Sequence, residues 1–140
     1  MHTKAVSFSP QASQEVALLF NALHEILGLS IEAFIQDDLD KAAQVEPLEE
    51  VIDGLIAQIK RRHIERLQGG VCTIELGFIL NDLLNNCERI SDHCSNIAVC
   101  VMELDRGGFA THKYLNAVKT GGDEAFQAAY ALYRQKYNLA

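Results

Sequence analysis

Tryptophan is absent from this 140-residue chain and proline occurs only twice, a scarcity that suits long helices better than a β-sandwich. Basic residues are also few, with 12 Lys and Arg against 19 Asp and Glu and a formal net charge of −7. Affinity for nucleic acid comes mainly from Lys and Arg meeting phosphates, so no nucleic-acid partner is expected, and a cation or a protein is. The four cysteines, Cys72, Cys87, Cys94 and Cys100, form no CxxC pair, and they read as buried free thiols in a reducing compartment rather than disulfides or zinc ligands. Uncharged stretches such as Val16 to Leu23 fall far short of the roughly 20 residues of a membrane span. The start, MHTKAVSF, lacks the apolar core of a secretion signal, so a soluble, cytoplasmic domain is expected. None of His24, His63, His93 or His112 has a glutamate three residues before it, which disfavours a ferritin-like di-iron oxidase.

What is present is apolar periodicity. Ser9 caps and Pro10 opens a first helix carrying Val16, Phe20, Leu23, Leu27 and Phe34, which ends among Asp37, Asp38 and Asp40. A second helix is expected to start at Glu46-Pro47, after a linking stretch DKAAQV that should kink or break at the proline, and to bury Leu48, Ile52, Leu55 and Ile59. Gly69-Gly70 stops it and Thr73 caps the next, and so short a connection makes the two helices antiparallel neighbours. The third helix shows an unbroken alternation of four and three: Leu76, Leu80, Leu83, Cys87, Ile90, Cys94, Ile97, Val101 and Leu104, closed by Gly107-Gly108. HKYLNAVKTGG reads as a short helix with turns, and Asp123 begins a last helix whose Phe126, Tyr130, Tyr133 and Tyr137 read as core packing. The expectation is one all-α domain over residues 1–140, an antiparallel three-helix bundle with one or two extra C-terminal helices over 109–140.

Two acidic pairs, Glu49 with Asp53 and Glu88 with Asp92, lie at equal distances from the Gly69-Gly70 turn, so a hairpin folded there brings four carboxylates level. At about 100° per residue, both pairs are offset from their apolar stripes in the same rotational sense, which in antiparallel helices places them on one face of the hairpin. Like charges so spaced repel, and no Lys or Arg occurs between Lys41 and Lys60 to compensate. Divalent cations fit, because carboxylates are hard oxygen ligands. A third acidic pair, Glu46 with Glu50, brings the number to what chance allows, and acids after Pro47 also suit the helix dipole. Geometry alone therefore leaves a cation site and a solvated acidic face level. Asn81, Asn85, Ser95 and Asn96 share the helix-three face and read either as extra oxygen ligands or orienters or as a plain wet helix face, while His93 points toward the other flank and reads as a packing or capping histidine rather than a ligand. The run Lys60, Arg61, Arg62, His63 with Arg66 reads as a solvated helix end rather than a phosphate or membrane patch.

At these residues, LEEVIDGLIAQIKRRHIERLQGG followed by FILNDLLNNCERISDHCSNIA, the chain resembles the PhoU domain over residues 12–105. ERISDHCSNIAVC is most similar to the PhoU-like domain that follows the membrane part of bacterial sodium/phosphate cotransporters. The resemblance implies a non-enzymatic regulatory domain of phosphate uptake that binds iron or zinc clusters, or other divalent ions such as manganese, nickel or magnesium. Glu49, Asp53, Glu88 and Asp92 would be the ligands, supported by Asn85, His93 and Asn96. The implied partners are a transporter membrane domain, at the cytoplasmic face of the inner membrane, and a second copy of the chain. Full-length relatives carry two such three-helix units where this chain has room for one. Two other classes compete: a structural oligomerisation module without metal, and a histidine phosphotransfer bundle using His93 or His63.

Overall fold

Ser9 opens the first helix as expected: its Oγ accepts from the Ala12 N–H at 3.2 Å, and Pro10 follows in the first turn. In the computed structural model, which describes residues 9–70, 73–106 and 124–139, this helix (α1) runs Pro10–Gln36. It ends on Asp37, a non-glycine residue in the left-handed region at φ 53°, a conformation aspartate tolerates better than most. Asp38 then caps α2 at once, its Oδ1 accepting from the Lys41 N–H at 3.1 Å.

The second helix therefore begins seven residues earlier than Glu46-Pro47: α2 spans Leu39–Gln68 and carries Pro47 in its interior. A proline there lacks an N–H and costs roughly 3 kcal/mol against an ordinary helical residue. Pro47 is fully buried, so apolar contact offsets part of that cost, and Asp38 makes the earlier start favourable. At the far end Gly69 caps α2, and Gly70 takes φ +77°, the left-handed turn that suits glycine. Thr73 Oγ1 accepts from the Leu76 N–H at 3.2 Å and opens α3, Ile74–Arg106. A further helix, α4, spans Glu124–Lys136. The described residues are thus all-α: α1, α2 and α3 pack against one another as an antiparallel bundle, and α4 lies on α2. The Gly107-Gly108 stop, the HKYLNAVKTGG segment, Asp123 and Cys72 fall outside the described residues.

The core of α2 follows the expected stripe, with Leu48, Ile52, Leu55 and Ile59 all buried. On α1 and α3 the stripe is rotated. Leu80, Cys87, Cys94 and Val101 are buried on α3, but their companions are Leu84, Ser91 and Ala98 rather than Leu83, Ile90 and Ile97. On α1 the core takes Leu19, Ala22, Leu23, Ile26, Ser30 and Ala33, while Phe20, Leu27 and Phe34 are exposed. Size separates the two frames: small Ala22, Ser30, Ala33, Ser91 and Ala98 take buried positions, and bulkier Phe20, Leu27, Phe34 and Ile90 turn outward. Cys87 and Cys94 are buried free thiols pushed up by burial, whereas Cys100 is exposed, contrary to the expectation of burial.

Three glutamates fasten α1 to the rest. Glu15, buried, takes two bonds from Arg66 at 2.9 and 3.1 Å and one from Arg62 at 3.4 Å. Two residues of the basic end of α2, Arg62 and Arg66, are therefore held by a buried partner rather than left to solvent alone. Glu32 pairs with Lys41 at 2.7 Å and Glu25 with Lys136 of α4 at 2.8 Å. Burial opposes the charged form of Glu25, yet hydrogen bonds from Lys136 and Tyr137 outweigh it and lower its pKa. Tyr133 donates to Gln44 Oε1 at 3.0 Å, and Phe126 stacks on Tyr130 at 6.2 Å, so the aromatic stripe of α4 is packing, as expected.

The rotated seam makes a measurable claim. Leu84→Ala should lower stability by about 2–5 kcal/mol and Ala98→Leu by about 1–3 kcal/mol in urea unfolding. A core built on Leu83, Ile90 and Ile97 would tolerate both.

Candidate metal centre

Because α2 starts at Leu39, Glu46 is a helical residue, and Glu46, Glu49, Glu50 and Asp53 fall in one stripe of threes and fours. That stripe lies along the seam with α3. Ser95 Oγ of α3 donates to Glu46 Oε2 at 3.0 Å, and Lys60, further along the same side, donates to Asn85 Oδ1 at 3.3 Å. Carboxylate oxygens of Glu46, Glu49 and Glu50 lie within 4.8 Å of one another. Glu46 and Glu49 are buried, Asp53 is half-buried, and Glu88 and Asp92 are exposed.

The charges of the two sequence-paired sets act together at Asp53. Burial raises its pKa first, the hydrogen bond from Glu49 lowers it, and the charges of Asp92, Glu88 and Glu46 raise it further. Glu49 is pushed from an ordinary 4.5 up to about 9, by burial first, then by its hydrogen bond to Asp53 and the charges of Asp53, Glu46 and Glu50. The two effects describe one arrangement: Glu49 keeps a proton and donates it to the Asp53 carboxylate. Near neutral pH a proton offsets part of the repulsion that a cation would otherwise offset.

Of the supporting residues expected, Asn85 bonds Lys60, and His93 and Asn96 are exposed. His93 sits about 100° around the helix from Asp92. Glu46, Glu50 and Ser95 enter the centre instead. Their signal was present as the Glu46 to Glu50 spacing, but a helix start placed at Pro47 leaves Glu46 outside the helix and hides the stripe. His63, the other candidate phosphoacceptor, lies so close to α3 that a Cβ on Gly77 would meet its Nε2 at 2.9 Å, and burial with nearby Arg66 lowers its pKa.

The candidate donors are all oxygen: six carboxylates, four on α2 and two on α3, of which Glu46, Glu49 and Glu50 have oxygens within 4.8 Å of one another, with the Ser95 hydroxyl on Glu46. Carboxylates able to bridge, some buried and some open to solvent, suit hard or borderline divalent ions. A cavity of about 650 Å³ lies elsewhere, lined by Glu15, Arg62 and Arg66 among others, toward the C-terminal end of α2.

The PhoU domain is matched over residues 16–101 of this helical bundle, and the chain belongs to the PhoU domain family. Among curated proteins it is similar to the phosphate-specific transport system accessory protein PhoU homolog 1 of Thermotoga maritima, with 25% identity over 112 residues. That alignment covers 80% of this chain and 48% of the relative, so the chain spans about half the length of the curated relative it matches. No solved structure matches significantly.

The proton at Glu49 sets a pH signature. A carboxyl raised in the folded state to about 9 is protonated there while the unfolded chain, near 4.5, has ionised, so metal-free protein should lose stability as pH rises from about 4.5 to about 9. The full contribution is present below the lower value. In Glu49→Gln that decline should flatten and the melting temperature near pH 8 should rise, as read by thermal unfolding in chelator. Added divalent cation should reverse the slope in wild type, since deprotonation then favours binding.

Proposed function

We propose that this chain is a non-enzymatic accessory domain of phosphate uptake that binds divalent cations along the α2–α3 seam and acts on a phosphate transporter. The observation that carries the reading is the convergence of Glu46, Glu49 and Glu50 with an Asp53 that feels Glu88 and Asp92, in a chain of the PhoU domain family. The name of the Thermotoga maritima relative, an accessory protein of a phosphate-specific transport system, supports the same direction.

In this reading Asp53, Glu88 and Asp92 form the solvent-facing rim that captures the ion, and Glu49 releases its proton as the ion enters. Ser95 holds Glu46 in place. Iron or zinc are the leading candidates, and manganese, nickel or magnesium suit the same oxygen set. The partner is the membrane domain of a phosphate transporter, a sodium/phosphate cotransporter in the finer version, met at the cytoplasmic face. Cation occupancy neutralises a row of negative charge, so the charge shown to that partner changes with metal supply.

Protein purified without chelator should contain metal by elemental analysis. Asp53→Asn combined with Asp92→Asn should weaken binding by more than about tenfold, since even a lost outer-sphere partner costs that much. The same double variant, expressed in cells lacking their own copy, should alter the rate of radiolabelled phosphate uptake relative to wild type. Unchanged metal stoichiometry in the variant defeats the cation site, and unchanged uptake with metal lost separates the site from transport.

A further inference from the structure

The acid seam continues beyond its carboxylates. Ile64 follows Glu46 by 18 residues on α2, and Ile74 precedes Asp92 by 18 on α3. At about 100° per residue, each isoleucine therefore returns to the azimuth of its acid after about five turns. Phe78 lies one turn from Ile74, within about 40° of the same line. All three are exposed, Ile64 at 53%, Ile74 at 68% and Phe78 at 71%. They also share a level: a Cβ on Gly77 would meet His63 at 2.9 Å, which sets Phe78 beside Ile64 across the hairpin. Between these residues and the acids, Lys60 donates to Asn85 at 3.3 Å, and at the far end Ser95 donates to Glu46. One flank of the α2–α3 hairpin thus runs for about 27 Å from an acidic row to an apolar tip.

We infer that this flank docks a basic amphipathic helix of a partner protein, about five turns long, with apolar side chains on the tip and Lys or Arg along the acids. The tip is too small to be a contact by itself. With a large apolar side chain presenting on the order of 200 Å², its three residues offer roughly 350 Å², an ordinary patch on a monomer and well under the ~800 Å² per partner of a standard interface. The acidic row supplies the continuation, and its charge names the occupant. Glu46, Glu88 and Asp92 all act on Asp53, so the row presents one negative field, which a row of cations complements. An anionic lipid surface would meet those acids head on. A second copy, at a formal −7, would bring like charge against like, and its Lys41, Arg62, Arg66 and Lys136 are already paired with its own glutamates. The inference deepens the accessory role proposed above by naming the kind of segment the domain grips. It rests on that reading only for the owner of the segment, and it needs no metal in the seam.

Fluorescence anisotropy in chelator tests it, with a labelled, amidated peptide of about five helical turns that carries Leu on one face over its first two turns and Lys on that face over the rest. Binding to the wild-type chain is expected in the micromolar range and should weaken as salt rises. Phe78→Gln in the tip, and Glu88→Gln combined with Asp92→Asn in the row, should each raise the dissociation constant roughly tenfold or more. Phe34→Gln, at a comparably exposed apolar residue of α1, should leave it unchanged. The same peptide with Glu in place of Lys should not bind. Absence of binding by the Lys peptide, equal binding by the Glu peptide, or indifference to either set of substitutions overturns the inference. So does a sedimenting dimer that Phe78→Gln breaks, which assigns the tip to a second copy, or flotation with phosphatidylglycerol vesicles that Phe78→Gln abolishes, which assigns it to lipid. The assay uses neither metal nor transport, so its failure leaves the cation site standing, and loss of the cation site leaves the docking surface standing.

Discussion

The azimuth at which α1 and α3 present their buried rows organises this domain. Ala22, Ser30 and Ala33 on α1 and Ser91 and Ala98 on α3 fill those rows with small side chains, while bulkier neighbours face outward. One consequence is that Glu88 and Asp92 are carried to the flank beside α2, where they reach Asp53 electrostatically. Another is that Phe20, Leu27 and Phe34 turn away from the core. The buried Ser91 hydroxyl has no hydrogen-bond partner among the described residues, a cost its small size in the core must offset.

The acid seam works by combining burial with proximity. Exposed carboxylates at helical spacing repel weakly and need nothing in return. Here Glu46 and Glu49 are buried, and the repulsion is met by a retained proton, a serine hydroxyl and the openness of Glu88 and Asp92 to solvent. The proton held by Glu49 is thus the direct answer to the charges of Asp53, Glu46 and Glu50 around it.

Much of this was legible in the letters. The Ser9 and Thr73 caps, the glycine turn, the α2 stripe and the aromatic side of α4 follow from local rules that tertiary packing left untouched. The turn at Gly69-Gly70 also made the level of Asp53 with Glu88 and Asp92 readable, because antiparallel register about a short loop is simple arithmetic. The helix start at Leu39 was not readable: a buried proline inside a helix departs from its usual role, and Asp38 in the sequence looks like one more member of an acidic helix end. That one boundary concealed the place of Glu46 in the acidic stripe. The rotation of α1 and α3 was hidden for a different reason, since a helix with apolar residues on two sides satisfies two heptad frames and composition alone favours the larger side chains.

Two usable frames on one helix also imply frustration. About a quarter turn of α1 would trade Leu19, Ile26 and Ala33 for Phe20, Leu27 and Phe34 against its neighbours, at modest change in apolar burial. What distinguishes the frames is ionic: only the observed one lets Glu15, Glu25 and Glu32 reach Arg66, Lys136 and Lys41. Those bridges are worth less as sources of stability than as a lock on the azimuth of the helix, in the way a lone polar group fixes register in a coiled coil.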